Sequence, residues 1–415
     1  MRSLIWFFLI CSLGCNRAKA IDLDASKSPL GFLANFIVST GGRPLGPEFV
    51  AVGENCSLFT SEDGQNWTVQ QGASTPFPGC NGGVIYDIAI GNGVWVAVGT
   101  TRGDYRTTSN NCGLWVSFDA LIWQQIPCPP TATGAAGTPL RSIAFGQTGG
   151  RGVFLIGGLA FLFPKASGYY YGLTSYDGFN WERKHIGPTG VDGVESNLAT
   201  CFASFDADTG YCAGESGSYS QINYKFHPDL GTWKADGVLG GYGYPTIADP
   251  PPNYRPRSFW YYYTKQNVHF MTGMGDGLPY LFRRLPNQAW GTNDDRVFQF
   301  YTYEYDNLIN AAADSNTKVI FFGDKCSWVY TTDQKGNWTA YTEGVWLPFT
   351  NLGSCNVDHP VNWADAAYNI YLNRFVVVGT SGTVGIATDP KAAEDWSIVH
   401  APSYTSRINA ILAKP

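Results

Sequence analysis

The chain has 415 residues, 44% of them hydrophobic and 15% aromatic, with only 14% charged and a net charge of −6. That is ample material for a core, and the acidic balance gives no electrostatic footing for nucleic acid. The 49 glycines, and the lack of sustained helical periodicity after the first fifteen residues, point to a turn-rich, all-β chain.

The chain opens with Met1-Arg2, then LIWFFLI, then CSLGC. This charged, apolar, small-residue layout is that of a secretory signal. Ser12-Leu13-Gly14-Cys15 resembles a bacterial lipobox, with Cys15 the lipidated residue, although Ser12 stands where the usual pattern has Leu. Residues 1–15 are therefore expected to be a signal peptide, 16–30 a polar tether and 31–415 one domain. No second run is long enough to span a membrane, so contact with the bilayer is expected through the lipid anchor alone. A cleaved, soluble secreted protein is the alternative.

From Glu48 the chain repeats itself. EFVAVG reads as a strand, SLFTS as a second, and Asp63-Gly64 as a turn that closes on Trp67. The V-G strand returns as WVAVG (95–99), VFLIGG (153–158), YCAG (211–214), HFMTG (269–273), VIFFG (319–323) and FVVVG (375–379). The turn tryptophan returns at Trp123, Trp181, Trp233, Trp290, Trp338 and Trp396, with spacings of 56, 58, 52, 57, 48 and 58 residues. A third element precedes most V-G strands, as in YDIAIG (86–91), RSIAFG (141–146) and ADAAYN (364–369). Four strands in about 50 residues is the size of a propeller blade. The expectation is a seven-bladed β-propeller of four-stranded antiparallel blades. Both FLANFIV (32–38) and SRINAILA (406–413) suit the innermost place in the first blade. A ring must remove its edges, and a C-terminal strand completing the first blade is favoured.

The pattern VAVG…S-x-D-G-x-x-W resembles bacterial propellers related to photosystem II assembly factors and, more distantly, Asp-box (BNR) propellers such as sialidases. The likeness covers residues 31–415, and Ser61-Glu62-Asp63-Gly64-Gln65-Asn66-Trp67 is one residue shorter than an Asp box. It implies a fold; such blades carry many unrelated activities.

Setting aside Cys11 and Cys15 leaves eight cysteines, an even number suited to an oxidising compartment. Cys56, Cys112 and Cys326 lie 11, 11 and 12 residues before their own blade tryptophans, while Cys80, Cys128 and Cys355 follow the tryptophan strand. Antiparallel third and fourth strands bring these positions to one face, which predicts Cys56–Cys80, Cys112–Cys128 and Cys326–Cys355. Cys201 and Cys212 flank a hairpin turn and are expected to pair across it.

Candidate binding residues come from the innermost strands and the long loops. Aligning those strands puts Asp87, Ser142, Asn310, Asp365 and Asn409 at about one position, which would make a polar ring around the central channel. Such a ring is either a ligand site at the channel mouth or the polar lining of a water-filled channel. Arg141, Arg257 and Arg407 each stand where an innermost strand begins, and three arginines suggest a carboxylate clamp like that of a sialidase. The F/Y-R-I-P segment of sialidases is absent, and only the Tyr-rich stretch 257–263 and Glu195 offer reacting groups nearby. Long insertions at 100–111, 159–172, 240–257 and 342–360 fall on the face that the three disulfides fasten. That makes it the expected binding face. Arg102-Gly103-Asp104 in the first of these loops resembles the integrin-recognition tripeptide. The five histidines show no metal-ligand spacing, and no nucleotide or cofactor fingerprint is present. The sequence thus reads as a monomeric, exported binding or scaffold module for a protein or glycan. A sialidase-like hydrolase and an adhesin are the competing readings.

Overall fold

The structure, a computed structural model, describes residues 44–103, 111–129, 140–148, 151–158, 170–186, 198–206, 209–216, 222–227, 232–238, 255–260, 269–275, 278–284, 298–299, 309–315, 318–323, 328–331, 361–390, 395–401 and 404–415. For residues 183–312 the description is of the backbone alone.

Antiparallel meanders follow one another along the chain. The first contains β1 (Phe49–Gly53), β2 (Ser57–Ser61) and β3 (Thr68–Gln70). The next is β4 (Ile85–Gly91), β5 (Val94–Thr100), β6 (Cys112–Ser117) and β7 (Trp123–Gln125). Then come β8 (Leu140–Thr148), β9 (Arg151–Gly158), β10 (Tyr170–Ser175) and β11 (Glu182–Ile186). After these run β12 (Leu198–Asp206), β13 (Thr209–Ser216), β14 (Ile222–His227) and β15 (Thr232–Val238). A single parallel pairing, Ile186 with Trp233, joins these last two meanders into one eight-stranded sheet. β16 (Arg255–Trp260), β17 (His269–Gly275), β18 (Leu278–Arg284) and β19 (Phe298–Gln299) form a further sheet. β20 (Ile309–Ser315), β21 (Lys318–Gly323) and β22 (Trp328–Thr331) form a three-stranded one. The last complete meander is β23 (Trp363–Asn369), β24 (Arg374–Gly379), β25 (Thr383–Ala387) and β26 (Ser397–His400).

The C-terminal strand β27 (Ile408–Ala413) does not extend that last sheet. It pairs antiparallel with β1, from Phe49 opposite Ala413 to Gly53 opposite Ile408. The sheet order is therefore β27-β1-β2-β3, with the first and last described strands in one unit. The stretch 32–38 lies outside the described residues. First strands neighbour one another in succession, from β4 through β8, β12, β16 and β20 to β23, and β27 touches both β23 and β4.

The near-continuous apolar second strands follow from this stacking. Every residue of Val94–Thr100 is buried. Alternate side chains leave a strand on opposite faces, and here both faces meet another sheet. Trp95 and Ala97 pack with Val50, Val52 and Leu58 of the preceding sheet. Val96 and Val98 pack with Ile143, Phe154 and Leu173 of the following one. Burying each such valine stabilises the fold by about 1.5–3 kcal/mol, so Val98→Asp would break the stack. Among the described residues no helix is long and apolar enough to cross a membrane.

The tryptophan turns share one geometry. The Ser61 hydroxyl donates to Asp63 Oδ1 at 3.0 Å, and Asp63 Oδ1 accepts the backbone N–H groups of Gln65 and Asn66 at 2.8 Å each. The Asn66 amide donates to Asp63 Oδ2 at 2.7 Å, and Trp67 Nε1 donates to the Gly64 carbonyl at 2.9 Å. Partial burial pushes the Asp63 carboxyl up, but these donors outweigh it and hold the group down at about 2. Ser175, Asp177, Asn180 and Trp181 repeat the arrangement. Ser117, Asp119 and Trp123 do so too, with Ala120 (φ 59°) where the other turns carry glycine. These turns explain why Ser, Asp and Trp recur. The aspartate ties the turn, and the indole plugs the space beneath.

Candidate binding face and the inner strands

Two of the predicted disulfides are formed, Cys56–Cys80 and Cys112–Cys128. Each joins the start of a third strand to the segment after a fourth, at the end of the molecule predicted for binding. Backbone bonds add to the fastening. Cys56 N–H donates to the Gly83 carbonyl at 3.0 Å, Asn81 N–H to Thr101 at 2.7 Å, and Gly103 N–H to Gly82 at 3.1 Å. Asn55 and Cys56 both sit at positive φ (58° and 54°), a conformation non-glycine residues rarely take, and the disulfide and the Gly83 bond hold it.

Arg102 and Gly103 are exposed at the start of the 102–104 tripeptide; Asp104 lies outside the described residues. Cys15, Cys326 and Cys355 lie outside them as well. For Cys201 and Cys212 the backbone register sets Cys201 opposite Gly214 and Cys212 opposite Ala203. That is a diagonal, for which α-carbons lie about 7–8 Å apart, beyond the usual disulfide reach, so the expected pairing would need the backbone to shift.

The inner strands carry a feature that sequence alignment did not find. Each first strand has a register shift near its beginning, where it carries one residue more than the second strand opposite it. Tyr86, Arg141, Asn310, Ala364 and Asn409 are such residues, and Arg257 lies in the shifted stretch of its strand. The five polar residues expected at one position therefore occupy two. Asp87, Ser142 and Asp365 follow the extra residue, whereas Asn310 and Asn409 are the extra residue and align with Arg141. All these strands share the bulge at the same place, so Asn310 and Asn409 stand level with Tyr86; setting them level with Asp87 puts them one place out, and in a strand one place turns a side chain to the other face.

The polar side chains stitch neighbouring first strands together. Asp365 Oδ1 accepts Ala366 N–H and Oδ2 accepts Ile411 N–H of β27, both at 2.8 Å. Asn409 donates from Nδ2 to the Ile85 carbonyl of β4 at 2.9 Å. Asp87 Oδ1 accepts Ile88 N–H and Oδ2 accepts Ile143 N–H of β8, again at 2.8 Å. Burial pushes the Asp87 carboxyl up to about 7, against the backbone donors of Ile143 and Ile88 and the Ser142 hydroxyl. Burial also raises Asp365, to about 8; the Ile411 N–H opposes this and the negative charge of Asp87 adds to it. Both oxygens of each carboxylate are thus committed to backbone.

Of the three predicted arginines, Arg407 is described to its side chain and is exposed. Its N–H donates to Glu54 Oε2 at 3.2 Å, and its carbonyl accepts the Tyr404 hydroxyl at 2.9 Å. Burial lifts the Tyr404 phenol to about 12, with the Ser57 hydrogen bond opposing and the Glu54 charge assisting. The side chains of Arg141 and Arg257 lie outside the described part of the structure. Among the described residues no cluster of His, Cys, Asp and Glu could hold a metal ion.

No protein-family model matches the chain, and no curated protein matches it. Solved structures do. A periplasmic gluconolactonase of Pseudomonas aeruginosa superposes over 88% of this chain and 99% of its own, at 9% identity and a TM-score of 0.55. The fold is a β-propeller. Two looser likenesses are a YCF48 bound to a D1 peptide and a Penicillium chrysogenum α-L-arabinanase complexed with arabinobiose. The first has 13% identity over 81% of this chain and 91% of that one, with a TM-score of 0.47. The second has 14% identity over 79% and 84%, with a TM-score of 0.43. At such identity the likeness speaks for the fold and not for an activity.

Sequence reasoning missed a further property of this propeller. All seven exposed large hydrophobic residues among those described lie at the end opposite the disulfides: Leu45, Leu121, Ile122, Tyr176, Ile370, Tyr371 and Leu372. Exposure depends on what neighbouring sheets cover, so no local pattern signals it.

Proposed function

We propose that the chain is an exported, lipid-anchored propeller of seven blades, closed by its C-terminal strand, that serves as a non-catalytic binding or scaffold module for a protein or glycan. The tryptophan spacing and the succession of first strands support seven blades. The pairing of β27 with β1, between β23 and β4, supports closure by the C-terminal strand. Export and anchoring rest on the signal-like first fifteen residues, on Cys15, and on two disulfides that suit an oxidising compartment.

One observation carries the functional reading. The described ends of the first two connections between second and third strands are fastened by disulfides and backbone bonds, while Asp87 and Asp365 are spent holding first strands together. Rigid loops on a rigid ring lose little entropy on binding, and a carboxylate with both oxygens bonded to backbone is poorly placed to serve as a base. A glycan-array screen of the chain, followed by a hydrolysis assay on any hit, tests the proposal. A sugar bound without turnover, or a protein partner captured by crosslinking through the 100–111 loop, is the expected result. Turnover abolished by Arg141→Lys would replace the module with a sialidase-like hydrolase. Cell attachment lost with Asp104→Glu would replace it with an adhesin using Arg102, Gly103 and Asp104.

A further inference from the structure

Scattered exposed hydrophobics are ordinary on a protein surface, but here they are sorted by end. In an antiparallel meander, the hairpin from first to second strand and the turn from third to fourth emerge together. Ile370, Tyr371 and Leu372 form the β23–β24 hairpin, Leu121 and Ile122 the β6–β7 turn, and Tyr176 begins the β10–β11 turn. Leu45 precedes β1 at this same end, where Phe49 pairs with Ala413. They belong to successive sheets around the first strands β23, β27, β4 and β8 and form an arc. Cross-links between sheets make the arc continuous. The Asn369 amide reaches Glu48 Oε2 at 2.9 Å, Trp95 Nε1 donates to the Leu45 carbonyl at 3.1 Å, and the Asn92 amide reaches the Tyr176 carbonyl at 2.9 Å.

Two details mark the arc as more than chance. In the Asp63 and Asp177 turns, an asparagine (Asn66, Asn180) bonds the aspartate at 2.7 Å; in the Asp119 turn that place is taken by Ile122, 66% exposed. A stabilising amide has given way to an outward-facing aliphatic group. In the hairpin, Asn369 Oδ1 accepts the N–H groups of Tyr371 and Leu372 at 3.0 Å and so fixes a turn whose tip is apolar, with Tyr371 64% exposed.

The occupant is indicated by where the chain comes from. Residues 1–43 precede the described part, carry LIWFFLI and Cys15, and join the propeller at Pro44 and Leu45, on this end. A tether that starts in a bilayer brings this end toward it. Arg151 lies over the Tyr176 ring at 4.5 Å, as basic and aromatic groups do at a headgroup boundary. Glu62 and Asp389 are exposed at the same end and offset Arg151, so net charge supplies no attraction to an anionic surface and the contact is apolar. We propose that this arc is a membrane-contacting face, with Ile122 and the 370–372 tip seated at the acyl–headgroup boundary and the disulfide face turned outward. The proposal rests on the lipid-anchor reading and adds an orientation to it.

The test uses the full chain, lipidated in cells and incorporated into vesicles of phosphatidylethanolamine with a minor share of phosphatidylglycerol. A photo-crosslinking residue is placed at position 122, at 371, or, as a control on the disulfide end, at Asn81. Lipid adducts at 122 and 371 at least about tenfold above those at 81, unchanged by added salt, are expected. Chains that float with the vesicles but give equal adducts at all three positions overturn the orientation and leave the anchor standing. Chain-to-chain adducts at 122 or 371 also overturn it, because the occupant is then a second copy. Chains that do not float overturn both readings.

Discussion

The stitching carboxylates make the propeller's stability depend on pH in an unusual direction. In the folded chain Asp87 and Asp365 titrate at about 7 and about 8, above the ordinary 3.8 of an unfolded aspartate. A folded value above the unfolded one means that folding disfavours the ionised form. The stability associated with each group is therefore complete below about 3.8, is lost as pH rises through its folded value, and is flat beyond. Each group can cost at most about 1.4 kcal/mol per pH unit in that window. Between about pH 5 and 8 the two would sum to about 7 kcal/mol; their residual exposure to solvent reduces this to about 3. Urea midpoints measured across this range should fall in the unaltered protein. They should fall by about half as much in Asp365→Asn and by somewhat more than half as much in Asp87→Asn, because the group with the higher value carries the larger share. Near pH 5 each variant should be about 1–3 kcal/mol less stable, because the amide accepts one of the two N–H groups and opposes the other. The curves should then converge as pH rises. Midpoints that stay level or rise from pH 5 to 8, or variants that keep the full slope, would refute the burial argument.

Other consequences are more local. Removing the Cys56–Cys80 bridge, at a sequence separation of 24, should cost about 3.5 kcal/mol by the loop-entropy relation, read from denaturant midpoints of Cys56→Ser/Cys80→Ser. Gly64 has φ 75°, and an added Cβ would lie 3.0 Å from Val376 and 3.1 Å from Phe49, so Gly64→Ala should cost about 2–3 kcal/mol. Gly72 has φ 58° with nothing within 4 Å, and Gly72→Ala should cost only about 1 kcal/mol, the backbone contribution alone. Ile122→Asn should restore the amide bond of the sister turns and raise thermal stability by about 0.5–1 kcal/mol; a loss of stability would show that Ile122 is there for the fold.

Much of this molecule is written in short-range order. The strands, the aspartate–tryptophan turns and the two bridges Cys56–Cys80 and Cys112–Cys128 depend on residues within about 25 positions of one another, and all of them were readable from spacing. Even the return of the C-terminal strand to β1 was readable, because a sheet edge left open would be costly. The bulges were not. Each first strand carries one extra residue near its start, and no residue pattern marks where a ladder slips; set against their second strands, Asn310 and Asn409 stand level with Tyr86 and Ala364 and not with Asp87 and Asp365. Nor could the chain alone reveal that Asp365 bonds Ile411 or that Asp87 bonds Ile143, since those partners arrive from other sheets. The apolar arc belongs to the same category. Ile122 and Tyr371 are exposed because no neighbouring sheet covers them, whereas Val96 and Val98 have the same apolar character and are buried by β8 and β9. Local sequence determines what each strand and turn can be; only the packing of sheet on sheet decides which side chains tie neighbouring sheets together and which are left facing outward.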